Sequence, residues 1–233
     1  MTLKPYLLFL LIVQAATAAG APGQPLKIGV YTGTFDPPHL GHKAVIEADK
    51  QTLGLDRVYV LPNPLTPHKK GALPYAHRRA MAELAFSGNS VEVASGKIEE
   101  AMRTGKVDGV LRTLEADYEK GTRFFRLMGD DTMLRSIQEG TLRTSPLLTL
   151  VVNRRGGDEG TGIKLPAKMG ESPILVLDGD DRGISSTKIR EAISAGKCPP
   201  LLSKSVWKYI QAQHLYGWKG KPKDCPSLST AGL

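Results

Sequence analysis

The chain has 233 residues, 41% hydrophobic and 23% charged, enough apolar material to bury a core without help from disulfides. Lys and Arg number 31 against 23 Asp and Glu, a net charge of +8 that suits a polyanionic ligand. Aromatics are only 6% and do not alternate with basic runs, which argues against a single-stranded nucleic-acid platform.

The first residues read apart from the rest. Lys4 precedes the apolar run Tyr6–Val13, and Ala16-Thr17-Ala18 then offers a small-residue cleavage site. The run falls short of the about 20 apolar residues that span a bilayer. Residues 1–18 are therefore expected to be a signal peptide, with an uncleaved anchor or a mis-chosen start codon as rivals. Residues 19–25 form a Gly- and Pro-containing linker, 26–217 the folded domain and 218–233 a tail. Cys198 and Cys225 would bridge in an oxidising compartment, stabilising by on the order of 3 kcal/mol, and would be two independent thiols in a reducing one. Their spacing is not that of a zinc or redox pair.

Leu26–Tyr31 alternates as a strand and runs into a Gly/Pro loop, after which Leu40–Leu53 reads as a helix closed by Gly54. Arg57–Leu61 is a second strand. Four prolines between Pro62 and Pro74 exclude regular structure there, and Tyr75–Phe86 is the next helix. Ser90–Val93 is a short strand, Gly105–Tyr118 contains a helix, and Arg123–Met128 is a strand. Leu147–Val152 and Ile174–Leu177 are two further strands, separated by a Gly- and Lys-rich exposed loop at Gly156–Gly170. Ser186–Ala195 and Ser203–Gln213 are helices. Strands alternating with helices specify an α/β fold, a doubly wound, Rossmann-like and mainly parallel sheet with helices on both faces.

Ligands of such a sheet sit beyond the carboxyl ends of its strands. The first strand ends there in Thr32-Gly33-Thr34-Phe35-Asp36-Pro37-Pro38-His39-Leu40-Gly41-His42. Gly33 would let backbone approach a phosphate, and the helix N-terminus adds unpaired N–H groups. His39 and His42, two of only five histidines, are three apart and share a helical face. Near the other end, Ile184-Ser185-Ser186-Thr187-Lys188-Ile189-Arg190 opens a helix with Ser185 or Ser186 as cap, and Arg190 follows one turn on as a fork of donors.

The first of these segments resembles the H-x-G-H signature of the nucleotidyltransferase superfamily, and the second its I-S-S-T-x-I-R motif. Pro62–Lys69 resembles the proline-rich loop of nicotinate-nucleotide adenylyltransferases that closes in P-H-K. Phe125–Asp131 resembles their strand end that closes in G-x-D, and Val151–Gly156 their V-V-x-R-x-G. Trp207–Tyr216 is similar to their closing helix, where core packing is a sufficient reading. The resemblance covers Lys27–Tyr216. It implies an adenylyltransferase that moves AMP from ATP, with Mg²⁺, onto nicotinate or nicotinamide mononucleotide. His39, His42, Lys69 and Arg190 would then be catalytic. Gly33, Thr34, Phe35, Gly41, Gly129, Asp131, Arg154, Ile184, Ser185, Ser186 and Thr187 would bind the nucleotide.

Three features depart from the family. Thr32-Gly33 stands for its Gly-Gly, Gly105–Leu114 replaces its acceptor-holding S-Y-T segment, and Arg135–Gln138 occupies the region of its ring-stacking tryptophan. The same chemistry on phosphopantetheine or a sugar phosphate, and a non-catalytic exported nucleotide-binding module, therefore stay open as alternatives. The expected partners are small nucleotides, with no nucleic acid and no membrane beyond the leader; a homo-oligomer is left open. The leader points to export and the family chemistry to the cytoplasm.

Overall fold

The structure, a computed structural model, describes residues 25–66, 69–86, 88, 90–155, 164–179, 185–199 and 201–220. The expected signal peptide, Ile184 and Cys225 lie outside the described residues, as does most of the expected loop at 156–170. Cys198 is disulfide-bonded.

Every expected strand forms: β1 (Lys27–Gly33), β2 (Arg57–Pro62), β3 (Val91–Val93), β4 (Arg123–Gly129), β5 (Leu148–Arg155) and, after a two-residue strand β6 (Lys168–Met169), β7 (Ser172–Gly179). Their order is β3-β2-β1-β4-β5-β7-β6, and only the β6–β7 pair is antiparallel. The chain winds outward from β1 in one direction and then from β4 in the other, so a crevice opens at the carboxyl ends of β1 and β4.

The helices are α1 (Leu40–Leu53), α2 (Tyr75–Phe86), α3 (Gly96–Asp117), α4 (Asp130–Gln138), α5 (Ser186–Ser194) and α6 (Lys204–Ala212). Alternation along the strands splits the core in two. Ile28, Val30, Phe124, Met128, Leu150 and Val152 pack with Val110, Leu114 and Met133 of α3 and α4. Tyr31, Val58, Val60, Phe125, Leu127 and Val151 pack with Val45, Ile46, Ala82 and Phe86 of α1 and α2. Burying each large apolar side chain contributes about 1.5–3 kcal/mol. A third cluster joins Met81 of α2 to Ile189, Ile193, Val206, Trp207 and Ile210, so the closing helix is core, as its sequence suggests. Among the described residues no helix is long and apolar enough to cross a membrane.

Three elements differ from expectation. Strand β6 lies inside the stretch expected to be an exposed loop at 156–170, where it pairs with β7. The strand end at Gly129 passes directly into a helix, α4. Helix α3 begins at Gly96 rather than near Gly105, and it is not straight. Lys97 Nζ donates to Asp117 Oδ1 at 2.5 Å across twenty residues, a span of about 30 Å in a straight helix. A Cβ on Gly109 would stand 2.6 Å from the Ala101 carbonyl oxygen. The segment is therefore two helical arms folded against each other, and Gly109 is the close-approach residue between them.

Candidate active site

The loop after β1 is shaped by Phe35. Its φ is +52°, its ring is buried, and it packs edge-on against His42 at 5.2 Å and Phe86 at 5.2 Å. A Cβ on Gly33 would lie 2.7 Å from that ring. Glycine is thus required at position 33 to admit Phe35, a reason other than the phosphate approach expected from the sequence. His39 sits at the N-cap of α1 with extended backbone (φ −142°, ψ 171°), and His42 is three residues on. Their rings stack with centroids 3.7 Å apart. The His39 backbone N–H donates to His42 Nδ1 at 3.2 Å. A nitrogen that accepts a hydrogen bond does so through its lone pair, so this contact fixes the orientation of the His42 ring at the mouth of the helix.

Helix α5 meets this loop from the far end of the chain. Ser185 is its cap and accepts from the Lys188 N–H at 3.2 Å. Ser186 Oγ donates to the Pro37 carbonyl at 2.9 Å, and Arg190 Nη1 donates to the Asp36 carbonyl at 2.8 Å. Arg190 Nη2 also donates to Thr187 Oγ1 at 3.2 Å. Two segments about 150 residues apart are thus bonded to each other, and their helix N-termini open on one cleft of about 490 Å³.

That cleft gathers the sequence-expected residues. Gly33, Thr34, Phe35, His39, Gly41 and His42 line it from β1 and α1; Ser185, Ser186, Thr187 and Arg190 line it from α5. Lys69 enters from the proline-rich loop, Gly129 and Asp131 from the β4–α4 junction, and Arg154 from the end of β5. Ile184 lies outside the described residues. Burial, above all, pushes the Lys69 ammonium below its ordinary value, with Arg135 and Arg190 adding to the effect and Asp131 and Asp36 opposing it. Asp131 Oδ1 accepts from the Thr132 N–H at 2.9 Å in the first turn of α4, where the residue lines the cleft. A second, more open groove of about 530 Å³ lies between the arms of α3 and holds none of these residues.

Residues 30–192 match the cytidylyltransferase-like family. A Listeria monocytogenes serotype 4a (strain HCC23) protein named "Probable nicotinate-nucleotide adenylyltransferase" is 32% identical over 200 residues, 83% of this chain and 98% of that one. A protein of the same name from Solibacter usitatus is 31% identical over 195 residues, 82% of this chain and 100% of that one. The chain belongs to the nicotinate-nucleotide adenylyltransferase family. In fold it also resembles the Plasmodium falciparum nicotinic acid mononucleotide adenylyltransferase complexed with NaAD, with a TM-score of 0.60 at 15% identity, covering 84% of this chain and 100% of that one.

Sequence reasoning missed the supports of this nucleotidyltransferase site. Arg78 is 1% exposed, and its guanidinium donates to the carbonyls of Leu73, Thr34 and Pro64 at 2.8, 2.8 and 3.4 Å. It clamps the proline-rich loop to the histidine loop. Asp36 accepts from the Tyr216 hydroxyl at 2.7 Å and from the Leu73 N–H at 3.4 Å, which ties the end of the domain to both. The signal for Arg78 was present: with Met81, Ala82 and Phe86 it completes a buried helical stripe. Arg135, in the region of the family's tryptophan, lines the cleft one turn beyond Asp131.

Proposed function

We propose that the chain transfers AMP from ATP to the phosphate of nicotinate mononucleotide, giving a dinucleotide and pyrophosphate. The observation that supports this most is the meeting of α1 and α5 at one cleft. Two helix N-termini, two imidazoles and a guanidinium converge there, the donor set a triphosphate needs.

An oxygen of the acceptor phosphate attacks the α-phosphorus of ATP. The bond from that phosphorus to the bridging oxygen breaks, and the electron pair leaves with pyrophosphate. A phosphate is already a nucleophile, so no side chain need form a covalent intermediate. The work left to the protein is orientation and neutralisation of charge building on phosphate oxygens. The His42 imidazole donates to those oxygens. Arg190, anchored on the Asp36 carbonyl, adds a guanidinium, and Lys69 a compact cation. Gly129 and Asp131 hold the ribose side of the nucleotide, and Arg154 closes the rim. Among the described residues no three His, Cys, Asp or Glu side chains form a metal site. Mg²⁺ enters the proposal as a counter-ion of the triphosphate, whose charge it would lower.

Arg135 favours one alternative, the same transfer onto another phosphate-bearing acceptor, because a guanidinium serves an anionic group where a ring-stacking tryptophan would not. Incubation with ATP, Mg²⁺ and a panel of nicotinate mononucleotide, nicotinamide mononucleotide, phosphopantetheine and sugar phosphates, read by product mass, tests both. Nicotinate adenine dinucleotide with stoichiometric pyrophosphate is expected. Nucleotide binding without any product would overturn the enzymatic reading in favour of a binding module. Residues 1–18 as a cleaved leader and 26–217 as the enzyme domain belong to the same proposal, and N-terminal sequencing of the mature protein tests the leader.

A further inference from the structure

Asp49 and Asn153 form a buried polar pair that the reaction outlined above does not use. Asp49 lies on α1 and is 1% exposed; Asn153 lies near the end of β5 and is 6% exposed. Asn153 Nδ2 donates to Asp49 Oδ2 at 2.8 Å, and Asp49 Oδ1 is buried with no hydrogen-bond partner in the structure. A carboxylate taken out of water and given one partner is costly, so the pair calls for a reason.

Its position supplies one. Gly41 and Val45 of α1 line the cleft, and Asp49 continues the same helical ridge at the next i+4 position. Asn153 lines the same cleft and meets the ridge at Asp49. A nucleotide whose triphosphate lies at His39 and His42 has its base free to run along Gly41 and Val45 toward Asn153. Burial raises the Asp49 carboxyl to about 6, so at neutral pH it remains an ionised acceptor and draws the Nδ2 side of the carboxamide to itself. Oδ1 is then the carboxamide atom left for a ligand.

We infer that Asn153, oriented by Asp49, selects nucleotides whose base carries an exocyclic amino group in the place where guanine, hypoxanthine or uracil carries an oxo group. Asn153 is the residue that touches the base, and Asp49 is a positioning residue. An amino group donates to Oδ1, whereas an oxo group there sets two acceptors against each other in a desolvated site. This rests on the nucleotide-binding part of the proposed function and not on turnover or on the acceptor.

The test is calorimetric titration of the full chain with ATP and with ITP, which differ at position 6 of the purine. Tighter binding of ATP by roughly tenfold or more is expected for the wild type. Asp49→Leu frees the carboxamide to turn and should cut the ATP:ITP ratio several-fold. The double variant Asp49→Leu/Asn153→Leu, which leaves no buried carboxylate unpaired, should bring it close to one. Equal binding of ATP and ITP by the wild type overturns the inference without recourse to variants. So does an unchanged ratio in folded variants. Selective binding without pyrophosphate release in the acceptor panel supports the inference while the proposed reaction fails.

Discussion

His42 shows how a single residue is tuned for a phosphate. Its Nδ1 accepts the His39 N–H, which sets the direction in which the ring faces the cleft. Replacing a donor aimed at developing charge costs on the order of 100-fold in rate. His42→Ala should therefore lower kcat for pyrophosphate release by about that factor while the melting temperature falls only slightly. A parallel loss of stability and activity would assign the residue to folding instead. Asp49 carries a pH signature. Burial raises its carboxyl from 3.8 to about 6, against the opposing Asn153 hydrogen bond, so the folded chain holds that proton more tightly than the unfolded one. The resulting stability is fully present below 3.8 and is lost as the pH rises through about 6. Asp49→Asn removes the titration. Its advantage in unfolding free energy over the wild type, read by chemical denaturation, should grow from pH 4 to pH 7, toward a limit of order 3 kcal/mol; a pH-independent difference would contradict the burial argument. The residues that could meet phosphate were legible because imidazoles, hydroxyls and a guanidinium at fixed offsets after glycine have few other uses. Arg78, Asp49 and Asn153 were harder to read, because each acts from inside a buried stripe where a polar side chain is read as an interruption.

Among the elements, α1, α2, α5 and α6 were legible to within a residue or so, since each has a stop signal and an apolar face. The first arm of α3 was not. Its inner face is shared between the sheet and the second arm, so no single stripe of period 3.6 emerges. Helix α4 was obscured because Gly129-Asp130-Asp131 reads as a turn, whereas it is a cap followed by two acidic residues at the positive end of a helix. Strand β4 holds a further anomaly. Arg126 is 5% exposed between strand and helix, its Nε and Nη1 have no hydrogen-bond partner in the structure, and burial lowers its guanidinium to about 10 with only Asp108 opposing. Asp108 is itself paired with Arg143. Removing the buried guanidinium thus leaves no uncompensated charge. Arg126→Met should stabilise the protein by about 1–3 kcal/mol in chemical denaturation. A loss of similar size would show that Arg126 anchors α3.

At the scale of the whole molecule, the parallel sheet and its two helical layers follow from alternation and from connections long enough to cross over. Strand order does not, because the central strands are largely apolar on both faces and periodicity carries no neighbour information. The order matters most, since the reversal between β1 and β4 opens the cleft and lets α5 close on α1. The central claim is that both helix N-termini grip one triphosphate. A crystal structure with a non-hydrolysable ATP analogue tests it most directly. The expected result is phosphate oxygens within about 2.7–3.2 Å of His42 Nε2, the Arg190 guanidinium and the first N–H groups of α5 at once. A triphosphate bound elsewhere, or held by α1 with α5 turned away, would contradict it.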